Sequence, residues 1–248
     1  MSSAESYGAF AFAYDQALGE RYFRAVRRLL IDVLDRYPSA VSTHLDVACG
    51  TALAIPFFVS RGFVSTGVDL SPVMLGVARK RAQRLVAGDA RVLPLRATFS
   101  RITCLYDSLN HMLDRRDLAA TFNEIARVMD DDSLFIFDMN HPEIYPEVWG
   151  MKEPFVDEGR DFHLEIATTY RRREQLGRAL VTGWAMVDGK RVDIRERHTQ
   201  RSYERDDIIA ALAEGGITPI EVSEFDPWVE GRTVKLFFVC RLTSGLVD

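Results

Sequence analysis

One turn constrains this chain more than any other stretch. An apolar segment at 44–47 runs into Ala48-Cys49-Gly50-Thr51-Ala52, and an apolar segment typical of a helix follows. A glycine between a strand and a helix lets a ligand approach backbone N–H groups at the helix N-terminus. Asp69 ends the next strand-like segment, about 20 residues further on, where a carboxylate can hold a ribose. The pairing predicts an α/β domain that binds a nucleoside-containing ligand.

Strand-like and helix-like segments alternate from 43 to 140. Ser71-Pro72 is a typical helix start, with Ser at the cap and Pro in the first turn. An amphipathic helix at 17–37, ended by Pro38, precedes the alternation. This pattern predicts a doubly wound, mostly parallel sheet with helices on both faces. The predicted strands are 43–48, 64–69, 85–88, 101–106 and 133–139, and the predicted helices are 52–61, 72–84 and 115–129.

The alternation stops after Pro142. Polar and apolar residues alternate at 161–171 and 190–203, and Asp188-Gly189 is a two-residue hairpin turn. A helix at 205–214 and extended segments at 217–224 and 234–239 follow, and these two segments bring the first sheet to seven strands. We therefore predict a helix and ligand-binding α/β domain at 1–149, an inserted antiparallel β lid at 150–203, and a return to the α/β domain at 204–248.

Composition excludes several classes of protein. The net charge of −5 leaves no broad basic surface, so we expect no nucleic-acid partner. No apolar run approaches the ~20 residues that span a bilayer, and the first residues do not resemble a signal peptide, so we expect a cytoplasmic location and no membrane partner. Cys49, Cys104 and Cys240 form no Cys-x-x-Cys pair and predict buried free thiols rather than a metal site. The sequence makes no prediction of oligomeric state.

Two nucleoside cofactors are compatible with the turn. In the dinucleotide fingerprint G-x-G-x-x-G, the three glycine positions would be Ala48, Gly50 and Leu53, which disfavours a pyrophosphate. A second acid, Asp89, follows the third strand, where it can accept a hydrogen bond from the amino group of adenine. The fourth strand runs into a polar segment at 104–111, at the edge where doubly wound sheets bind ligands. These residues favour S-adenosylmethionine over NAD(P).

Four segments in this order resemble class I S-adenosylmethionine-dependent methyltransferases: DVACGTA at 46–52, GVDLS at 67–71, AGDA at 87–90 and CLYDSLNHM at 104–112. Tyr14-Asp15 resembles a YD motif of the members that act on small molecules. The inserted hairpins, followed by the segment 197–203, resemble the lid of a subset that includes amino-sugar N-methyltransferases. The resemblance implies a Rossmann-like methyltransferase fold, an S-adenosylmethionine cofactor and a small-molecule methyl acceptor, either an amine or a hydroxyl.

The resemblance also implies roles for individual residues. Asp69 would bind both ribose hydroxyls, and Asp89 would meet the adenine edge. Tyr14 would close over the cofactor and help to shape the acceptor site. A lone Asp after a strand commonly caps a helix instead, and Tyr14 could simply pack in the core. The other implied contacts are Ala48 and Gly50 at the methionine part of the cofactor, Leu70 and Met74 against the adenine, Ala90 beside Asp89, and Tyr106 near the methionine part.

Methyl transfer from a sulfonium needs no covalent nucleophile and no metal, but an ammonium or hydroxyl acceptor must lose a proton. A histidine, with a reference pKa of about 6.5, suits that task. His111, after the fourth strand, and His198, on the inner face of the lid, are the main candidates; His141 is a third. Asp107 could instead orient an ammonium. An apolar wall of the acceptor site is predicted at Phe155, Phe162, Trp184 and Trp228.

Two other functions stay open at this point. A nicotinamide-dependent oxidoreductase could use a similar sheet, although the chain lacks the glycines and a Tyr-x-x-x-Lys pair. A non-catalytic protein could retain the cofactor pocket without transferring a methyl group.

Overall fold

The computed structural model describes residues 8–227 and 233–246, so Trp228 lies outside the described residues. The α-helices are α1 (Phe10–Tyr14), α2 (Glu20–Arg36), α3 (Ile55–Val59), α4 (Pro72–Ala78), α5 (Arg115–Arg127) and α6 (Arg205–Glu214). The strands are β1 (Thr43–Val47), β2 (Val64–Asp69), β3 (Leu85–Ala87), β4 (Arg101–Cys104), β5 (Leu134–Asn140), β6 (Phe155–Gly159), β7 (Phe162–Arg171), β8 (Leu176–Val187), β9 (Lys190–Arg201), β10 (Ile217–Phe225) and β11 (Lys235–Leu242).

The first sheet has seven strands in the order β10-β11-β5-β4-β1-β2-β3. All neighbouring pairs from β5 to β3 are parallel, and β11 runs antiparallel to both β5 and β10. The predicted α/β fold with a mostly parallel seven-stranded sheet is confirmed. Because parallel strands end at one edge, the turns after β1, β2, β3 and β4 lie together there.

Successive residues of the central strands face opposite sides of the sheet, as strand geometry requires. In β5, Phe135 and Phe137 pack with the residues of α5 and α6 on one side. Leu134 and Ile136 pack with α2 and α3 on the other. Phe137 also stacks on Phe238 of β11, with ring centroids 4.7 Å apart. Because these strands are buried on both faces, the sequence shows continuous apolar runs here rather than alternation.

The second sheet is antiparallel, with the order β6-β7-β8-β9, and all four strands lie within 150–203. The predicted hairpin joins β8 to β9, where Asp188 and Gly189 both have positive φ angles of 50° and 76°. The inner face of this sheet packs on α1, through a cluster that includes Phe10 and Leu164. Of the predicted apolar wall, Phe162 is buried in this cluster and Phe155 is half exposed. The three-segment division of the chain stays a prediction.

Three predicted helices differ from the structure by three residues or more at one end. The helix predicted at 52–61 is only Ile55–Val59, because Ala52 has a left-handed backbone (φ 63°) that a helix cannot include. The helix predicted at 17–37 starts at Glu20, after α1 and one turn of π-helix at Asp15–Gly19. The helix predicted at 72–84 ends at Ala78. Within the described residues, no helix combines the length and apolar character that crossing a bilayer requires.

Candidate active site

A cavity opens at the carboxyl edge of the first sheet, beneath the N-terminal segment. It runs from the turn after β2, past the turn after β1, to the segment that follows β4. Ten of the predicted site residues line it: Tyr14, Ala48, Gly50, Asp69, Leu70, Met74, Asp89, Ala90, Tyr106 and His111. His198 is not in the cavity wall. The roles of these residues stay predictions, but the fold brings the ten together.

The turn after β1 is held in an unusual backbone conformation. Ala48, Gly50 and Ala52 all have positive φ angles, of 53°, 53° and 63°. For each alanine this costs about 1–2 kcal/mol, whereas for Gly50 the cost is negligible. A Cβ added at Gly50 would meet no atom within 4 Å, so the space beside this backbone is open to a ligand. The Gly50 N–H itself donates to Oδ2 of Asp69 at 2.8 Å.

Asp69 supports both turns and retains capacity for a ligand. Its Oδ1 accepts the Ser71 N–H at 2.8 Å. The cap of α4 is Ser71, whose hydroxyl oxygen accepts the Met74 N–H at 3.3 Å, so Asp69 is not the helix cap. A carboxylate offers about four lone-pair directions, so the hydrogen bonds from the backbone of Gly50, Ser71 and Leu70 leave acceptor capacity for a ligand. Burial raises the pKa of Asp69.

A second buried acid in the cavity wall was missed by the sequence analysis. Asp46 is 3% exposed and accepts a hydrogen bond from the Thr103 hydroxyl at 2.6 Å. Burial, together with a smaller effect of the Asp69 charge, raises the pKa of Asp46 to about 7 against the opposing effect of that hydrogen bond. The signal in the sequence was a charged residue inside an apolar strand, since burying a charged group without a partner costs free energy.

Asp89 is bound much more fully than Asp69. Its Oδ1 accepts the Arg91 backbone N–H at 2.9 Å and the guanidinium Nε at 3.0 Å. Its Oδ2 accepts from Nε at 3.2 Å and Nη2 at 2.6 Å. The hydrogen bonds from Arg91 hold the pKa of Asp89 below its usual range. Since all four lone-pair directions are used, contact with an adenine amino group requires Asp89 to give up one Arg91 contact.

The N-terminal segment is tied to the turn after β1. Asp15 accepts a hydrogen bond from the Thr51 hydroxyl and pairs with Arg81 at 2.7 Å. The neighbouring Tyr14 lines the cavity, and its ring meets that of Tyr106 edge-on, with centroids 5.5 Å apart. The Asp15 contacts therefore place the Tyr14 side chain over the cavity.

The far end of the cavity is formed by His111. Its Nδ1 lies 3.1 Å from the Thr199 carbonyl oxygen on β9, and its Nε2 lies 3.4 Å from Nε2 of Gln200. Burial lowers the pKa of His111 to about 4, so the ring is neutral near pH 7. His198 lies behind it, with ring centroids 6.3 Å apart, next to Phe10 at 5.8 Å.

Comparison with known proteins now decides the family. A model of the methyltransferase domain matches residues 45–132. A putative methyltransferase of Geobacillus sp. (strain WCH70) is 25% identical over 245 residues, which cover 95% of this chain and 99% of that protein. A dTDP-3-amino-3,6-dideoxy-alpha-D-glucopyranose N,N-dimethyltransferase of Streptomyces fradiae is 32% identical over 149 residues, covering 58% of this chain and 57% of the relative. This chain contains a methyltransferase domain and is an S-adenosylmethionine-dependent methyltransferase.

A solved structure agrees with the fold of the methyltransferase. An S-adenosylmethionine-dependent methyltransferase from Clostridium acetobutylicum ATCC 824 superposes with a TM-score of 0.79 at 23% identity, covering 94% of this chain and 97% of that one. The predicted enzyme class and cofactor are confirmed, and the oxidoreductase alternative is not favoured.

The residues of the methyltransferase fit this cofactor. Asp69 keeps acceptor capacity for a ribose, and the open space at Gly50 admits a chain beside the backbone. Met74 and Leu70 add apolar surface to the wall. Asp46 and Asp69 place carboxylates in this part of the cavity, which suits a ligand that carries a sulfonium and an ammonium group.

The sequence analysis also missed a buried polar network behind the cavity of the methyltransferase. It joins Asp107, Asp138, Gln200 and Lys235, which are all buried. Two signals were available. Asp138 interrupts an apolar strand, and Lys235 stands within another apolar run. Neither signal gives the partner, because 128 residues separate Lys235 from Asp107.

Proposed function

We propose that this methyltransferase N-methylates the amino group of a small molecule, and that an amino sugar carried on a nucleoside diphosphate is the substrate class to test first. The observation that carries the proposal is the position of His111, whose imidazole lines the cavity together with Tyr106 and whose pKa burial lowers to about 4. The Streptomyces fradiae relative, which is named for an amino-sugar nucleotide substrate, supports the choice. A hydroxyl acceptor is the second candidate.

The cofactor, when bound, supplies an electrophilic methyl group on a sulfonium. In the proposal Asp69 binds the ribose hydroxyls, while Leu70, Met74 and Ala90 face the adenine and Asp89 meets its edge. Ala48 and Gly50 line the methionine part, with Tyr106 beside it. These contacts fix the donor, so that orientation supplies part of the rate enhancement, up to ~7–11 kcal/mol.

His111 acts on the acceptor in this proposal. A neutral imidazole whose Nδ1 carries the proton presents Nε2 as a hydrogen-bond acceptor. Such a nitrogen can exchange its 3.4 Å contact with the Gln200 amide for the N–H of an amine and aim the amine lone pair, and a proton released after transfer can pass to it or to water. With a pKa of about 4 it is a weak base, which suits an amine that is already neutral when it attacks.

Tyr14 and His198 have different places in the proposal. Tyr14 covers the cavity and shapes the acceptor end, since its ring lies over Tyr106. His198 acts only indirectly, because it lies behind His111 and outside the cavity wall.

Methyl transfer from labelled S-adenosylmethionine tests the proposal, with amino-sugar nucleotides, their hydroxyl counterparts and simple amines as acceptors. We expect transfer to an amine and none to the matched hydroxyl compound. Transfer to the hydroxyl compound alone contradicts the choice of nitrogen. Cofactor binding without transfer to any acceptor would support the non-catalytic alternative.

The proposal extends to location and partners. Cys49, Cys104 and Cys240 are free and buried, which supports a reducing, cytoplasmic location. The acidic net charge supports a small molecule rather than nucleic acid as the acceptor.

A further inference from the structure

A buried lysine sits between two carboxylates behind the cavity. Lys235, at the start of β11, is 1% exposed. Its ammonium contacts Oδ1 of Asp107 and lies 3.4 Å from Oδ2 of Asp138. Asp138 also accepts the N–H groups of Tyr106 and Asp107 and the Tyr22 hydroxyl, so three donors besides Lys235 hold it as a carboxylate. Asp107 has the ammonium as its charged partner.

Asp107 connects this ion pair to Gln200 on β9. Its Oδ2 accepts a hydrogen bond from Nε2 of Gln200. The other side of the same amide, Oε1, accepts from Nδ2 of Asn140 at 2.8 Å and from the Tyr145 hydroxyl at 3.1 Å. A reversed amide would place its oxygen against the Asp107 carboxylate, where two acceptors repel. The ionised carboxylate therefore fixes which side of Gln200 faces it.

The same Gln200 amide nitrogen lies 3.4 Å from Nε2 of His111. An amide N–H can only donate, so His111 Nε2 must be the acceptor nitrogen. At the other side of the ring the Thr199 carbonyl oxygen, which can only accept, lies 3.1 Å from Nδ1. Both neighbours require the proton on Nδ1. The ionisable groups that face this ring are Asp107, Lys235 and His198.

We propose that Lys235 is a positioning residue which, through Asp107 and Gln200, fixes His111 as its Nδ1–H tautomer and keeps Nε2 as the acceptor nitrogen. The proposal deepens the proposed function, on which it rests for the use that is made of His111. Lys235 touches neither cofactor nor acceptor in this scheme. It acts only by keeping Asp107 ionised.

Removal of the Lys235 ammonium changes each contact between Lys235 and His111. In Lys235→Met, two buried carboxylates are left without a counter-charge, and one must take up a proton. Burial raises the pKa of Asp138, but Asp138 keeps its three donors while Asp107 loses its ammonium partner, so in the proposal the proton goes to Asp107, which becomes a donor. Gln200 then turns its oxygen toward Asp107 and His111, and the ring proton of His111 moves from Nδ1 to Nε2. The switch gives up the contact of Nδ1 with the Thr199 carbonyl oxygen and the hydrogen bond from Asn140 to Gln200.

Asp107→Asn reaches the same end point without removing the lysine. The ammonium of Lys235 orients the new amide with its oxygen toward Nζ, so its NH2 group faces Gln200. Gln200 must again present its oxygen, and His111 again carries a proton on Nε2. Because the two variants perturb the buried charge differently, failure of one to fold leaves the other as a test.

Nitrogen-15 NMR of protein labelled at histidine measures the tautomer directly, without any acceptor. The His111 resonances are assigned by their loss in His111→Gln. We expect Nδ1 protonated and Nε2 unprotonated in the unmodified protein and in Lys235→Arg, and Nε2 protonated in Lys235→Met and Asp107→Asn. The exposed Lys190→Met is the matched control and should leave the spectrum unchanged. Circular dichroism and thermal unfolding identify any variant that does not fold.

Two outcomes overturn the proposal: a protonated Nε2 in the unmodified protein, or an unchanged tautomer in a folded Lys235→Met or Asp107→Asn. In activity assays the variants should lower kcat at least tenfold and change the KM for S-adenosylmethionine less than threefold, which a general loss of structure would not produce. Failure of the proposed function is detected separately, because the unmodified protein would then transfer no methyl group to amines. The NMR measurement of the tautomer does not depend on that result.

Discussion

Replacing Asp69 by asparagine separates a ligand-binding role from a structural one. Asp69 receives one backbone N–H on each oxygen, at 2.8 Å from Gly50 and at 2.8 Å from Ser71. Asparagine keeps one of these acceptors, and its NH2 group opposes the other N–H. It also loses the charge that strengthens hydrogen bonds from ribose hydroxyls. A hydrogen bond to a charged acceptor contributes about 1.5–3 kcal/mol, so loss of one predicts about a 10- to 150-fold weaker affinity.

The assay is isothermal titration of the folded variant with S-adenosylhomocysteine. Asp114→Asn is a matched control, because Asp114 also accepts the N–H two residues ahead, from Arg116 at 2.8 Å, at the start of α5 and away from the cavity. It should leave the affinity unchanged. Ser71→Ala removes the α4 cap and should cost about 1 kcal/mol of stability, with less than a threefold effect on binding. If Asp69→Asn also weakens binding less than threefold, the ribose lies elsewhere and the assignment of the pocket fails.

Three further predictions concern the rest of the cavity. Arg81→Met leaves the Asp15 carboxylate without its ion pair. A loss of about 1–2 kcal/mol predicts about 5- to 30-fold faster release of S-adenosylhomocysteine in stopped-flow measurements. An unchanged rate would show that the N-terminal segment does not retain the ligand. Asp46 has a pKa raised to about 7, and a cationic ligand favours its carboxylate, so binding of S-adenosylmethionine at pH 7 should release about half a proton. Calorimetry in two buffers of different ionisation heat measures this release, which should vanish in Asp46→Asn. His111, with a pKa lowered to about 4, stays neutral from about pH 5.5 to 8, so an inflection of kcat near pH 6.5 that disappears in His111→Gln would contradict its proposed state.

The sheet was predictable because its strands carry the signal in their own residues. The segment 133–139 is apolar because both faces of β5 are covered, and the structure shows it as Leu134–Asn140. The apolar run 234–239 predicted β11 for the same reason. Its antiparallel direction is not encoded in that run, because it depends on pairing with β5 and β10.

Helix bounds were less predictable where tertiary contacts decide the backbone. Ala52 takes a left-handed conformation, although alanine is the best helix former. Its N–H donates to the Cys49 carbonyl oxygen at 2.8 Å, which closes the turn before the helix begins. Likewise, the π-helical turn at Asp15–Gly19 includes the carboxylate that reaches Thr51 and Arg81. No local propensity indicates either contact.

The residues that line the cavity could be predicted because strand order places them. Apart from Tyr14, which lies in α1, the predicted lining residues lie at or after the end of a parallel strand, and such ends share one edge of the sheet. The contacts that modify these residues could not be predicted. Arg91 fills the lone-pair directions of Asp89, and Gln200 fixes the ring of His111 across 89 residues of sequence. Candidate residues can therefore be read from motif order, whereas their charge and protonation states require the packed structure.

The buried acids Asp46 and Asp69 also explain why the turn after β1 suits S-adenosylmethionine better than NAD(P). Asp46, at 3% exposure, and Asp69 both lie in the cavity wall close to Gly50. A pyrophosphate placed against this turn would bring negative charge toward both carboxylates, and at ~6 Å each such pair costs about 3 kcal/mol for an effective dielectric constant of about 20. A sulfonium or ammonium group at the same distance gains a similar amount. Replacing Ala48 and Leu53 by glycine would restore the dinucleotide spacing without removing this repulsion, so we expect the double variant to gain no measurable affinity for NADH. Binding of NADH by that variant, measured by tryptophan quenching, would show that the missing glycines rather than the acids exclude a dinucleotide.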